Sequence, residues 1–335
     1  MKNIIYLLGI LLLVISCRDE ELKGDSPSQR ARHSIESLKT ELTEAPYGWK
    51  VIYFPKTDSL LFSDKEDVIE RDPAFRSKYG YGGHYFTMKF GTDGTVTMLT
   101  DTDDTTISEP KKSEYSIKQN TFTQLSFTTP SYLNKLLNEQ FAGSPDWLYV
   151  GKNWEGNLVF KTASYIEPAR EYIVFEKIEK EEDFSNFVQA SYDNRMFFDN
   201  LSNPQITIRQ GSKIFFQSDV IMKTQFVQNF INEIQYKRYY LFRFGKKLNP
   251  DPNRIDPLES NGLGSGYVGT EQGITFYSGI RYSSTYIFYD FERQGNKFVC
   301  ELVKVYDPIL KKYRMMSKHL APNNAEFTGF IAEIQ

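Results

Sequence analysis

The sequence predicts a mainly β protein with two β-rich units and a few short helices. From Gly48 to about Ile178, apolar and polar residues alternate with a period of two, which is typical of half-buried β-strands. The chain is also rich in residues that favour strands, with 22 Tyr and 26 Phe. Its length of 335 residues suggests two domains as a first estimate.

A leader segment opens the chain. Met1-Lys2-Asn3 is basic, and an apolar run from Ile4 to Ile15 follows it. A membrane-spanning helix needs about 20 apolar residues, so this shorter run indicates the hydrophobic region of a signal peptide at residues 1–16. Val14-Ile15-Ser16-Cys17 resembles the lipobox of bacterial lipoproteins, which predicts lipidation of Cys17. An ordinary secretory signal with an accidental cysteine nearby is the alternative.

Residues 17–25 are expected to form a flexible, lipidated tether. The acidic run Arg18-Asp19-Glu20-Glu21 resembles the export signal that sends lipoproteins of the Bacteroidota to the outer face of the outer membrane. We therefore expect a protein that is anchored by lipid in the outer membrane and faces the cell exterior. A solvated tether without an export signal is the alternative interpretation of the same charges.

The first folded unit is placed at residues 26–180 and should begin with a helix. Ser26, Pro27 and Gln29 fit an N-cap, a first helical residue and the end of a capping box. Because the residue before a proline avoids the α region, the helix should end at Glu44-Ala45, before Pro46.

Eight strand candidates follow this helix. The strongest signal is a hairpin in which Tyr85–Phe90 and Thr95–Met98 flank an Asp-Gly turn. Residues 56–80 are expected to be a long loop, and a short helix is expected near Tyr132–Asn138. Eight strands in meander order favour an up-and-down, calycin-like barrel, although an open sandwich would give the same local pattern. The strands are expected at 49–54, 85–90, 95–98, 113–117, 122–128, 147–150, 158–162 and 172–178.

Residues 181–335 predict a second β-rich domain with helices. A linker helix is expected near the boundary, where Phe184, Phe187 and Val188 have helical spacing. A second helix is expected around Phe226–Ile234, and Gly264-Ser265-Gly266 is interpreted as a flexible glycine-rich loop. Strands are expected at 205–209, 213–216, 237–244, 273–277, 285–292 and 297–305.

Charge and cysteine content narrow the function classes. The formal net charge is -3, and loss of residues 1–16, whose single charge is Lys2, leaves -4. Lys and Arg are scattered without a basic stripe, so we expect no nucleic-acid partner. Once Cys17 carries lipid, Cys300 is the remaining cysteine, and its position on the Phe298/Leu302 face of a strand predicts a buried structural thiol.

Few residues fit a catalytic or metal-binding pattern. The three histidines show no zinc-binding or haem-binding spacing, so no cofactor and no metal are predicted. Asp101, Asp103 and Asp104 are weak candidates for a cation site, because hard cations favour oxygen-rich loops. A solvated turn is the stronger interpretation of these three aspartates.

Aromatic residues supply the clearest candidates for ligand binding. Trp154-Glu155-Gly156-Asn157 has the pattern of a hairpin turn, where the flanking strands cannot fully bury a tryptophan. Trp154 is therefore a candidate for stacking against a ligand, as are Tyr79 and Tyr81 in the glycine-rich segment Tyr79–Gly83. Packing within the protein is the more common role of such residues.

Three segments resemble a known family. They are Ala45–Pro55, the hairpin from Gly83 to Val96, and Gly266–Ile274. Together with the lipobox, they resemble the Bacteroidota lipoproteins with domain of unknown function 4302. The resemblance implies no activity and no catalytic residues. It does imply, by association, a nutrient-uptake system with a TonB-dependent transporter and its surface lipoprotein as partners.

These observations predict a non-enzymatic binding or accessory module on the cell surface. Its ligand would be a glycan, a peptide or a small molecule, or it would dock onto a transporter. A hydrolase that uses scattered Asp and Glu residues is one alternative, and a purely structural envelope protein is the other. Two carboxylates that converge in one cleft with raised pKa values would favour the hydrolase.

Overall fold

A computed structural model describes residues 25–55, 82–137, 143–162, 172–222, 239–242, 264–281, 286–307, 311–318 and 325–335. Cys17, the predicted signal peptide and most of the tether lie outside the described residues, as do Tyr79, Tyr81 and the helix expected around Phe226–Ile234. Across the described ranges the protein is mainly β, as predicted, with three α-helices and two barrels. None of the described helices has the length and hydropathy needed to cross a bilayer.

Helix α1 (Pro27–Thr43) begins and ends as the sequence predicts. The Ser26 hydroxyl accepts the backbone N–H of Gln29 at 3.2 Å, and the Gln29 side chain accepts the N–H of Ser26 at 2.7 Å. Leu38 and Leu42 are buried in the core of the first barrel. Because that barrel is closed, a helix that contributes to its core must cover one of its ends.

The first barrel has eight antiparallel strands in sequential order, and pairing of its first and last strands closes it. This confirms the predicted barrel and excludes the open sandwich. The helix expected near Tyr132–Asn138 is a 3₁₀ turn at Leu133–Leu136, and an unpredicted short helix α2 (Asp104–Ser108) follows the third strand. The strands are β1 (Trp49–Tyr53), β2 (His84–Phe90), β3 (Thr95–Thr100), β4 (Lys111–Gln119), β5 (Thr123–Phe127), β6 (Asp146–Lys152), β7 (Leu158–Thr162) and β8 (Tyr172–Lys177).

Side chains fill the interior of the first barrel. Trp49 and Trp147 are fully buried there, and the Trp147 ring packs edge-on against Tyr53 with 4.9 Å between ring centroids. Phe160 and Phe175 pack at 4.7 Å in the same core. An eight-stranded barrel is just wide enough either for its own side chains or for one small ligand. This interior is therefore a packed core and not a binding chamber.

Helix α3 (Asp183–Asp199) connects the two barrels at the position of the predicted linker helix. The second barrel has the strand order β10-β11-β12-β13-β14-β16-β15-β17-β9, and pairing of β9 with β10 closes it. Its pairings are antiparallel except that of β14 with β16. The strands are β9 (Gln205–Gln210), β10 (Lys213–Met222), β11 (Tyr239–Phe242), β12 (Gly264–Gly269), β13 (Gly273–Arg281), β14 (Tyr286–Gln294), β15 (Lys297–Asp307), β16 (Lys312–Ser317) and β17 (Glu326–Ile334).

The interpretation of Gly264-Ser265-Gly266 as a flexible loop is wrong, because these residues open strand β12. Glycine is depleted in strands, which weakens the sequence signal. In this strand the missing side chain permits close packing, since a Cβ on Gly269 would lie 2.0 Å from the carbonyl oxygen of Ser191 in α3. The sequence also gave no prediction for β16 and β17, which complete the second barrel.

Candidate functional site

An apolar cluster joins the two barrels. Tyr85 and Leu99 on the outer face of the first barrel pack with Ile107 of α2, Val188 of α3 and Val268 of β12. All five side chains are buried. Burial of this much apolar surface fixes the position of one barrel against the other.

A buried ionic network reinforces this interface. The guanidinium of Arg195 donates to the carbonyl oxygen of Asp101 at 2.9 Å and contacts the carboxylates of Asp101 at 3.7 Å and Asp199 at 3.2 Å. Burial lowers the pKa of Arg195, but the two carboxylates outweigh burial and raise it. The hydroxyl of Ser191 donates to the Gly269 carbonyl at 2.7 Å and lies 3.2 Å from a carboxylate oxygen of Asp101.

The three aspartates considered as a weak cation site have other contacts. Asp101 is fully buried in the network with Arg195. Asp103 caps α2 by accepting the N–H groups of Thr105 and Thr106, while Asp104 accepts the hydroxyl of Tyr192. Across the described ranges, no group of three His, Cys, Asp or Glu side chains is arranged to hold a metal ion.

A second charged bridge spans the barrels around Lys50. Its ammonium lies 2.7 Å from Glu271 in the turn between β12 and β13, and 3.0 Å from Glu176 of β8. The hydroxyl of Tyr85 donates to the other carboxylate oxygen of Glu271 at 2.9 Å. Burial alone would lower the pKa of Lys50 and raise that of Glu271, but their mutual attraction outweighs it and keeps both charged.

This bridge brings together the three segments that carried the family resemblance. Lys50 belongs to the first segment, Tyr85 to the second and Glu271 to the third. The backbone N–H of Gly83 also donates to the carbonyl of Tyr267 at 2.9 Å. The three sequence segments therefore have a common structural role, which is to join the barrels.

A cleft of about 650 Å³ lies between the barrels, beside the Lys50 bridge. We call it the inter-barrel cleft. One wall is the outer face of β1 and β8 with the turn between β6 and β7, and the other is the outer face of β13, β14 and β15. The charged and exposed aromatic side chains that line it are Lys50, Trp154, Glu155, Tyr172, Glu176, Glu271, Asp290, Glu292, Glu301 and Lys318.

Aromatic side chains stand exposed at this cleft. Trp154 lies in the β6–β7 turn, as the sequence predicts, and its side chain is 76% exposed. Tyr172, at the start of β8, is 57% exposed. Phe54 continues the wall and packs against Tyr277 of the second barrel, with 5.0 Å between ring centroids. The cleft thus offers two exposed rings that have few contacts of their own.

Carboxylates dominate the charge of the inter-barrel cleft. Six line it against two lysines, and both lysines face carboxylates, Lys50 as described and Lys318 at 3.6 Å from Glu301. Glu155 and Glu292 form no ion pair with any residue that the structure describes. The cleft is therefore acidic.

Asp290 is the most perturbed acid of the cleft. Its pKa is raised to about 7, chiefly by burial and also by the nearby carboxylates Glu271, Glu176 and Glu292, while a hydrogen bond from the Thr275 hydroxyl partly opposes the rise. Proton uptake by Asp290 near neutral pH follows from this environment.

Sequence reasoning identified Trp154 but missed Tyr172, Glu292 and the Lys50–Glu271 pair. Each lies at an outward position of a strand or in a turn, and side chains at such positions usually contact only solvent.

Cys300 is buried as predicted, next to the hydroxyl of Ser317 at 3.3 Å, and burial raises the pKa of its thiol.

One family model, described as Domain of unknown function (DUF4302), matches residues 19–295. The chain belongs to this family. The DUF4302 match includes the whole first barrel, α3 and all of the residues that bridge the barrels, and it ends in the turn between β14 and β15. No curated protein and no solved structure matches the chain. Because the family description names no activity, a function must be argued from the site itself.

Proposed function

We propose that this DUF4302 protein is a lipid-anchored, non-enzymatic binding module on the outer face of the outer membrane, and that its ligand occupies the inter-barrel cleft. One observation carries the proposal: a cleft of about 650 Å³ has two exposed rings, Trp154 and Tyr172, on one wall. This volume is within the range of small-molecule sites, roughly 300–1,000 Å³.

The scaffold around the cleft supports a binding role. The apolar cluster, the Arg195 network and the Lys50 bridge hold both walls in place. A preorganised site loses less conformational entropy when it binds its ligand. An exposed indole also contributes favourable binding free energy when a ligand covers it. Where two aromatic rings pair, this contribution is about 0.5–1.5 kcal/mol larger than burial of the area alone would give.

We expect Trp154→Ala to weaken ligand binding by roughly 10-fold to 100-fold, the effect of losing a central aromatic contact. Calorimetric titration with a panel of oligosaccharides, peptides and small molecules measures it. Phe122→Ala is the matched control, because Phe122 is an aromatic residue that is 48% exposed on the same barrel but does not line the cleft. Equal affinities for the two variants and the wild type would contradict the proposal.

The proposed anchor makes a separate prediction. Cys17→Ala should move the protein from the membrane pellet to the soluble fraction, because acyl chains supply the membrane affinity. Cys300→Ala is the control, since it removes a thiol that is buried in the second barrel. Membrane retention of Cys17→Ala would contradict anchoring, and resistance of intact cells to protease shaving would contradict surface exposure.

The proposed setting in nutrient uptake, with a TonB-dependent transporter and its surface lipoprotein, is supported by the family resemblance in sequence alone. Recovery of such a pair with the protein from solubilised outer membranes supports this role. Recovery of the protein by itself favours a structural protein of the envelope.

A carboxylate-based hydrolase of glycans or peptides is the second candidate. The observation that favours it is Asp290, whose pKa of about 7 suits a general acid, near the ionised Glu271. Turnover of a glycan or peptide library that disappears in Asp290→Asn would make the protein an enzyme. Saturable binding without turnover supports the binding module.

A further inference from the structure

We infer that the inter-barrel cleft selects a ligand with an organic cation, an ammonium or guanidinium group, attached to a body that stacks on aromatic rings. The inference rests on the proposed function, because it names the class of ligand that the cleft would bind. Two observations support it, which are the charge balance of the two walls and the exposed aromatic side chains on one of them.

The charge balance leaves carboxylates without counter-ions. Lys50 is held between Glu176 and Glu271, and Lys318 lies beside Glu301, so neither lysine is available to an anionic ligand. Asp290 is half-buried and accepts the Thr275 hydroxyl. This leaves Glu155 on the first barrel and Glu292 on the second as the exposed carboxylates of the cleft without a lysine among the described residues. A phosphate, sulfate or carboxylate in the cleft would meet like charges from both walls.

Glu155 is positioned by its own turn. Its carboxylate accepts the side-chain amides of Asn153 at 3.4 Å and Asn157 at 3.2 Å. These contacts fix the carboxylate within the turn that carries Trp154. A cation that reaches Glu155 therefore enters the part of the cleft that Trp154 also lines.

Removal of water from these carboxylates favours a cationic ligand over a neutral one. A neutral ligand that covers Glu155 and Glu292 removes water from two charges without replacing it by a counter-charge, which is unfavourable. A cationic ligand supplies that counter-charge. A cleft in which charges of one sign are in excess also attracts ions of the opposite sign.

The aromatic rings are the second, independent observation. Trp154 is 76% exposed and Tyr172 is 57% exposed on the same wall as Glu155. Tryptophan is the preferred side chain for cation–π contacts, and tyrosine also makes them. A carboxylate next to an exposed indole is thus a site suited to an organic cation, whether it comes from an amino sugar or from a basic side chain of a peptide.

The test uses two pairs of probes that differ in charge. The first pair is the trimer of glucosamine and the trimer of N-acetylglucosamine, and the second is trilysine and trilysine with acetylated side chains and a blocked amino terminus. Titrations are run by calorimetry at a pH that keeps the sugar amines protonated. We expect at least one cationic probe to bind on the order of tenfold more tightly than its neutral counterpart, with an advantage that declines as salt is added.

Glutamine substitutions test whether the preference for cationic probes arises in the cleft. Glu155→Gln combined with Glu292→Gln should reduce the advantage of the cationic probe to roughly twofold or less, since each amide removes one charge and keeps the shape. Glu114→Gln with Glu326→Gln is the matched control, because both glutamates are exposed and lie outside the cleft. Circular dichroism verifies that all variants keep their folded spectrum.

The outcomes separate this inference from the proposed function. Tight, Trp154-dependent binding of a neutral probe, with no preference for its cationic counterpart, overturns the cation inference and leaves the binding module intact. A cationic preference that survives both glutamine substitutions, or no binding of any of the four probes, also overturns the inference. In the last case the wider ligand panel decides the proposed function.

Discussion

Arg195→Met should lower the free energy of unfolding by about 3–5 kcal/mol, the range for breaking a buried ion pair. The side chain of Arg195 is 5% exposed and that of Asp101 is fully buried, so the substitution leaves a buried carboxylate without its guanidinium. The same change removes the hydrogen bond to the Asp101 carbonyl, which ties α3 to the first barrel. Urea unfolding followed by far-ultraviolet circular dichroism measures the loss.

Lys112→Met is the matched control for this experiment. Lys112 pairs with Asp93 at 3.4 Å, but both side chains are well exposed. Exposed pairs contribute little to stability because solvent screens them, so the control should unfold close to the wild type. Similar losses in the two variants would show that the Arg195 network is not the element that holds the barrels together.

The first barrel was predictable because its signals are local. Phe86, Met88 and Phe90 alternate with polar or partly exposed positions, and an Asp-Gly turn follows within a few residues. Strands in meander order pair with their sequence neighbours, so the order of the strands also follows from the sequence. Closure needed one further pairing, that of β1 with β8, which removes both exposed edges.

The second barrel was less predictable because more of its determinants are distant in sequence. Strand β12 contains Gly269, whose missing side chain permits the close approach of α3, and that approach exists only after folding. Strands β14 and β16 pair in parallel, so they are not joined by a hairpin turn that a sequence pattern could reveal. The sequence showed the β character of this half but not its complete set of strands.

The site combines one local signal with several distant ones. The position of Trp154 follows from its turn, which a tetrapeptide suffices to indicate. The cleft itself depends on pairs such as Lys50 and Glu271, which are 221 residues apart. The sequence predicts a solvated turn at Asp101, which is wrong because the residue is fully buried. Nothing nearby in sequence indicates its partner Arg195, which lies 94 residues further along. Charges that compensate one another across domains leave no local pattern.

Trp49→Ala should also be among the most destabilising substitutions, with a loss of about 3–5 kcal/mol in the free energy of unfolding. Trp49 is fully buried, and its indole N–H donates to the carbonyl of Leu42 in the last turn of α1 at 2.9 Å. The truncation would leave a large cavity in the first barrel and a carbonyl without its donor. Urea unfolding followed by circular dichroism, with the fluorescence of the remaining tryptophans Trp147 and Trp154 as a second probe, measures the effect.

Trp154→Ala provides the matched comparison, because it removes the same side chain from a position that is 76% exposed. We expect it to change stability by no more than about 0.5 kcal/mol. The two variants then separate two roles of one residue type, since Trp49 would stabilise the barrel and Trp154 would bind the ligand. If Trp49→Ala unfolded like the wild type and lost ligand binding instead, the interior of the first barrel and not the inter-barrel cleft would be the binding chamber.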